Sequence, residues 1–292
     1  MTAAIFCAVS VVVIFVGAAG AAEMALHPAR LPVALVCPCL AHMHCEAVAI
    51  SASDGIELRG WYYTSDYKPD QSHTRAIILF HGVGSNREDM VALGNLLLKQ
   101  GYSVLEPDLR GHGESGGMAT YGVLEAGDTS AWLDWLEKTG PRSGIYGFGA
   151  SLGASVLLES LMHETRFQAI VAESPYSDFY SVADERIARM LPSGTKWMAG
   201  PFVDSGMIWA RWRDGVDLRQ ASAAAGVRST RTPILLIHGL ADEKTSPDNS
   251  RRLAAIDPGV QLWLVPGSHH ADAWKTAPAA FESRVLAWFR NH

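Results

Sequence analysis

The chain has 292 residues, 48% of them hydrophobic and 18% charged, and carries a net charge of −6. That length holds one large α/β domain or two small ones, with enough apolar side chains for a sizeable core. A negative balance without any basic run leaves no electrostatic reason to expect nucleic acid as a partner. From Ala3 to Ala22 the chain is almost wholly apolar, and its first charge is Glu23. About twenty such residues cross a bilayer as a helix, so residues 1–22 read as a transmembrane anchor. Ala19-Gly20-Ala21 resembles a small-x-small cleavage site, which makes an export signal the competing reading. No Lys or Arg precedes the run, which is unlike a signal peptide, and a buried helix of the soluble domain is the third reading. The nearest basic residue on the far side is Arg30, too little to set the side of the membrane.

Residues 23–46 read as a linker, broken by Pro28, Pro32 and Pro38. Three of the four cysteines, Cys37, Cys39 and Cys45, lie here beside His42 and His44, and Cys7 is in the apolar run. Thiols one residue apart are awkward ligands and the spacing matches no usual zinc pattern, so no metal site is expected. A disulfide outside the cytoplasm and an uninvolved linker both remain open for these cysteines.

A domain spanning 47–292 follows. Ala47 to Ile50 and Ile56 to Tyr63 flank Ser53-Asp54-Gly55, a hairpin signal. From Arg75 on, continuous apolar runs alternate with helical ones. Strands are expected at Ala76–Phe80, Ser103–Glu106, Ser143–Tyr146, Ala169–Ala172, Pro233–Ile237 and Val260–Val265. Helices are expected near 87–100, 122–138, 154–161, 247–256 and 277–291. Strands apolar throughout and separated by helices imply a mostly parallel sheet covered on both faces.

The chemistry concentrates where these strands end, as ligands do in open α/β sheets. Gly149-x-Ser151-x-Gly153 places a serine on a sharp strand-to-helix turn, with glycines where the two backbones must approach. Alone, such a motif is equally a glycine-rich turn with an incidental serine. His81-Gly82-Val83-Gly84 offers a backbone N–H, and Val83 with Leu152 is the expected pair of oxyanion donors. His238-Gly239-Leu240-Ala241-Asp242 aims a carboxylate over the sheet edge; Asp242 is preferred to its neighbour Glu243 and to Asp178 as the acid that orients a histidine. In Ser268-His269-His270, His270 is the expected general base and His269 its loop neighbour.

With Asp54-Gly55-x-x-Leu58-x-Gly60-Trp61 and Asp108-x-Arg110-Gly111-His112-Gly113-x-Ser115 added to these segments, the chain from about Val48 onward resembles the α/β-hydrolase superfamily. More narrowly, it is similar to bacterial-type serine hydrolases of the esterase, lysophospholipase or serine-aminopeptidase kind. The order Ser151, Asp242, His270 is the one that superfamily uses. The resemblance implies no metal and no organic cofactor, and a buttressing role for Asp108 to Ser115. It also implies a cap insertion at about 180–227, where Trp197, Met198, Phe202 and Trp209 are the expected acyl-binding residues. Ordinary packing of extra helices on the sheet edge is the plainer account of those four. The expected activity is hydrolysis of carboxylic esters or thioesters of a small acyl substrate. A peptidase or amidase with the same residues, and a membrane-tethered binding protein with an idle site, are the alternatives. Oligomeric state and acyl length are not legible.

Overall fold

The computed structural model describes residues 2–34, 37, 43–65 and 75–292, with side chains of the first helix described from residue 14 onward. Its elements begin with helix α1 (Thr2–Leu26) and strands β1 (Met43–Ser51), β2 (Glu57–Ser65) and β3 (Arg75–Phe80). Next come α2 (Val91–Lys99), β4 (Ser103–Pro107), α3 (Glu125–Lys138), β5 (Gly144–Ala150), α4 (Leu152–Ser160) and β6 (Phe167–Glu173). The cap follows as α5 (Phe179–Met190), α6 (Ala199–Asp214) and α7 (Ala223–Ser229). The chain then closes with β7 (Ile234–Gly239), α8 (Asp248–Ala254), β8 (Gln261–Val265), α9 (Ala273–Thr276) and α10 (Pro278–Asn291).

Eight strands form one sheet in the order β1-β2-β4-β3-β5-β6-β7-β8, parallel from β4 to β8, with β1 and β2 antiparallel at one edge. The apolar runs are central because helices cover both of their faces. Along β3, Ala76, Ile78 and Phe80 join one core with Leu133, Leu136 and Leu157. Ile77 and Leu79 point to the other, built with Leu97, Phe281, Val285 and Phe289. This is the α/β-hydrolase architecture. The Asp54-Gly55 turn forms as expected, with Gly55 at a φ of 82° that favours glycine.

The N-terminal region departs most from expectation. α1 does not stop at Ala22 but runs to Leu26, and β1 begins inside the expected linker because Met43 pairs opposite Ser65. Among the described residues, no helix is long and apolar enough to cross a membrane. The second half of α1 instead packs on the cap. Ala18 and Ala22 are buried, Gly206 of α6 lets the helices approach, and a Cβ there would lie 3.2 Å from the Ala18 carbonyl oxygen. Trp209 donates its indole N–H to Glu23 at 2.6 Å, and Arg213 pairs with the same carboxylate. Leu26 is fully buried in the main core, which contributes about 2 kcal/mol to holding the helix end.

Cys37 and Cys45 are joined as a disulfide, their Cα atoms 6.0 Å apart, a span such bridges commonly cover. Cys39 and His42 lie outside the described residues, and no cluster of three metal-ligating side chains occurs among those described.

Candidate active site

Ser151 sits between β5 and α4 at a φ of 54°, a left-handed conformation that a side chain adopts only when its surroundings impose it. Here they do. A Cβ on Gly149 would meet the Gly153 backbone, and one on Gly153 would meet the carbonyls of Phe80 and His81. The Ser151 N–H is held by the Glu173 carbonyl of the neighbouring strand at 2.8 Å. The hydroxyl therefore stands out at the carboxyl edge of the sheet, over the N-terminus of α4.

Three strand ends bring their side chains to it. The Ser151 hydroxyl donates to His270 Nε2 at 2.7 Å, and His270 Nδ1–H donates to Asp242 Oδ2 at 2.7 Å. The other Asp242 oxygen accepts the N–H groups of Lys244 and Thr245, both at 2.9 Å. His238, fully buried, lies 3.2 Å from Oδ2, with its Nδ1 accepting from Ser250. Burial works against a charge on Asp242. Hydrogen bonds from His238 and His270 outweigh it and hold the carboxyl well below the usual carboxylate range. An ionised carboxylate aimed at Nδ1 leaves Nε2 free to accept a proton from the serine.

The loop carrying His270 is fixed from β6. Ser174 accepts the Ala271 N–H at 3.1 Å, and the Glu173 carboxyl accepts the Ala273 N–H at 2.9 Å. Ser174 and Ala271 both have positive φ, so these bonds hold the chain in a conformation it would not adopt unaided. Complete burial pushes the Glu173 carboxyl up to about 7. Neither residue was singled out from sequence. Their one signal is position, a polar pair directly after an apolar strand. His269 points away, its ring bonded to the Ala241 carbonyl, and Asp178 caps α5 by accepting the Ser181 N–H.

On the other side of Ser151, the His81 loop is built around a neutral histidine. Leu109 N–H donates to Nε2 at 3.0 Å and Nδ1–H donates to the Gly82 carbonyl at 2.7 Å. Burial, reinforced by nearby His112, pushes His81 down to about 3. The His81 carbonyl accepts the Gly153 N–H at 3.1 Å, tying this loop to the start of α4 and setting Val83 beside Ser151. Asp108 to Ser115 does not face the serine. Asp108 accepts from the backbone of Arg87 and Glu114, and Arg110 clamps Asp128 and Asp54. That segment braces the loops.

A pocket of about 760 Å³ opens over Ser151, lined by Val83, Met90, Arg186, Arg189, Met190, Lys244 and His270 among others. None of Trp197, Met198, Phe202 and Trp209 lines it. Trp197 is 74% exposed, Trp209 is spent on Glu23, and Phe202 faces a separate cavity beside α1. The cap residues that do reach the pocket are Arg186, Arg189 and Met190, two of them cationic. Arg186 donates to the Lys244 carbonyl at 3.3 Å and Arg189 donates to that of Glu243, lashing α5 to the loop that holds Asp242. Their i, i+3 spacing on one helix face is the sequence signal for them, and apolar enrichment pointed elsewhere.

The fold and this convergence of strand ends define a class, and comparison with known proteins agrees: the chain belongs to the α/β hydrolase family, whose model matches residues 77–284. It is 27% identical over 250 residues to the uncharacterized protein YqkD of Bacillus subtilis (strain 168), covering 84% of this chain and 79% of that one. It is 25% identical over 237 residues to the uncharacterized protein YfhR of Escherichia coli (strain K12), covering 78% and 74%. Among solved structures it is similar to the Pyrococcus furiosus esterase Pf2001, with a TM-score of 0.70 and 26% identity over 91% of this chain and 97% of that chain.

Proposed function

We propose that the protein is a serine hydrolase that cleaves carboxylic esters or thioesters through an acyl-enzyme. The observation that carries this reading is the unbroken relay from Ser151 to His270 to Asp242, with 2.7 Å at each link. His270 takes the Ser151 proton as the oxygen attacks the carbonyl carbon, and Asp242 stabilises the imidazolium. The N–H groups of Val83 and Leu152 receive the oxyanion. His270 then returns the proton to the leaving alcohol or thiol, and water repeats the sequence to free the acid. The similarity to an esterase supports an ester over an amide substrate.

The test is labelling with a fluorophosphonate followed by a panel of p-nitrophenyl esters, acyl thioesters and aminoacyl amides. Labelling at Ser151 with turnover of esters is expected. Amide turnover alone would move the assignment to a peptidase, and neither labelling nor turnover would leave a binding protein.

We further propose that the N-terminal segment attaches the protein to a membrane, on the strength of its apolar sequence from Ala3. The packing of Ala18, Ala22 and Leu26 on the domain favours retention of α1 over cleavage after Ala21. It also leaves only residues 2–17 for the lipid, about 24 Å of helix against a hydrocarbon core of roughly 30 Å. Shallow insertion fits that length better than a full span. Sedimentation of the full chain with phosphatidylcholine vesicles, lost in Val12→Asp, is the expected result; equal sedimentation of both proteins would count against it.

A further inference from the structure

Between α1 and the cap lies a second cavity, of about 180 Å³. Four alanines of α1 (Ala18, Ala21, Ala22 and Ala25) line it together with Ala183 and Ile187 of α5, and residues of α6 and Tyr121 complete the lining. Among the described residues Arg186 is its sole charged lining residue, and Arg186 also lines the pocket over Ser151. The Arg186 Nε is drawn to the Lys244 carbonyl, which places its charged end on the Ser151 side. α5 is thus a partition with an apolar space on one side, the serine on the other, and one long flexible side chain common to both.

We propose that this cavity seats the alkyl chain of the substrate, with the ester carbonyl at Ser151 and the chain passing beside Arg186, so that α1 is one wall of the acyl-binding site. This rests on the hydrolase reading and names its substrate class: esters or thioesters of medium-length unbranched acyl chains. Three observations carry it. The lining is apolar apart from Arg186 and the Tyr121 hydroxyl, which is already bonded to the Ala25 carbonyl, and this suits hydrocarbon better than a polar acyl group. The volume slightly exceeds the roughly 150 Å³ with which a dry aliphatic cavity binds benzene, so a chain end of about six carbons has room. The space also has a structural cause. Four alanines on α1 stand where larger residues would fill it, while Gly206 holds α1 close enough to roof it.

The readout is the ratio of kcat/KM for p-nitrophenyl decanoate to that for p-nitrophenyl acetate, measured on the full chain with melting temperature followed in parallel. The parent should favour decanoate. Ala21→Leu and Ala183→Leu fill the cavity from opposite walls and should each lower the ratio about tenfold, the scale on which a pocket discriminates one or a few methylenes. Ile187→Ala enlarges it and should move the preference to laurate. Met24→Leu, on the exposed side of α1, should leave the ratio as it is. Ester turnover by the parent with ratios unmoved by both filling variants and by Ile187→Ala overturns the inference while leaving the hydrolase reading intact. Failure of Ser151 to label or of any ester to turn over overturns both.

Discussion

The loops at the carboxyl edge of the sheet and the cap above them hold functional side chains in opposite ways. Along the edge, each residue of the relay is placed by its own strand end. Its bonds run to neighbouring strand ends or within its own loop: Ser151 to the Glu173 carbonyl, Asp242 to the Lys244 and Thr245 N–H groups, and the His270 loop to the side chains of Glu173 and Ser174. In the cap, no helix is placed by its own sequence alone. α5 is lashed by two arginines to the loop after β7, and α6 is held through Glu23 to a helix almost two hundred residues earlier. The edge is held by bonds between adjoining strand ends, the cap by single side chains reaching to a loop and to α1. Reactivity is therefore expected to sit in the first region and selectivity in the second.

The sharpest way to break that division is Ser151→Ala. Losing the nucleophile of a relay that acts as a unit costs on the order of 10⁶ in turnover. Stability should shift by less than about 1 kcal/mol, since one hydrogen bond to His270 is what is lost. Turnover, fluorophosphonate labelling and melting on one preparation decide it, and a mutant that melts like the parent and still hydrolyses esters at a similar rate would sink the assignment. His270→Ala should be about as severe, while His269→Ala should retain most activity because its ring serves only the Ala241 carbonyl. Reversed effects would mean that the register of this loop is wrong.

A smaller effect separates stability from chemistry. Burial raises the Glu159 carboxyl to about 8, and one of its oxygens lacks a hydrogen-bond partner among the described residues. The folded chain therefore keeps a proton that the unfolded chain, titrating near 4.5, releases. The contribution of this group is fully present below about pH 4 and is lost as pH rises towards 8. Glu159→Gln should raise stability by roughly 1–3 kcal/mol at pH 8.5 and change little at pH 4. Denaturant titrations at both values check the sign, which would be the reverse if the carboxylate were favourably paired.

The smallest effect tests whether α1 belongs to the cap. Glu23→Ala removes the acceptor of both Trp209 and Arg213. Limited proteolysis within α1 should quicken, since local opening follows the contacts that restrain a segment. The rate of fluorophosphonate labelling should stay at the parent value, because nothing in the relay touches Glu23. Slower labelling would show that the two regions are not separable.

What the amino-acid sequence determined by itself follows from the range of the forces involved. The sheet was legible because a strand buried on both faces must be apolar throughout. The turn that carries Ser151 was legible because a sharp turn at a strand end leaves few residue types that fit. Gly149 and Gly153 are required by contacts within a few residues and one neighbouring strand. The tertiary structure alone decided the rest. An apolar run such as 3–22 has the same composition whether lipid or protein covers it, and only the docking of Ala18 and Ala22 distinguishes the two for its second half. Trp197 and Trp209 were read as part of a binding wall because hydrophobicity carries no direction. Whether Trp209 faces a substrate or Glu23 depends on which way α6 rolls, and in the structure α6 turns Gly206 towards Ala18 and Trp209 towards Glu23. Arg186 and Arg189 reach the pocket over Ser151 for the same reason: a partner loop, distant in sequence, captures their heads.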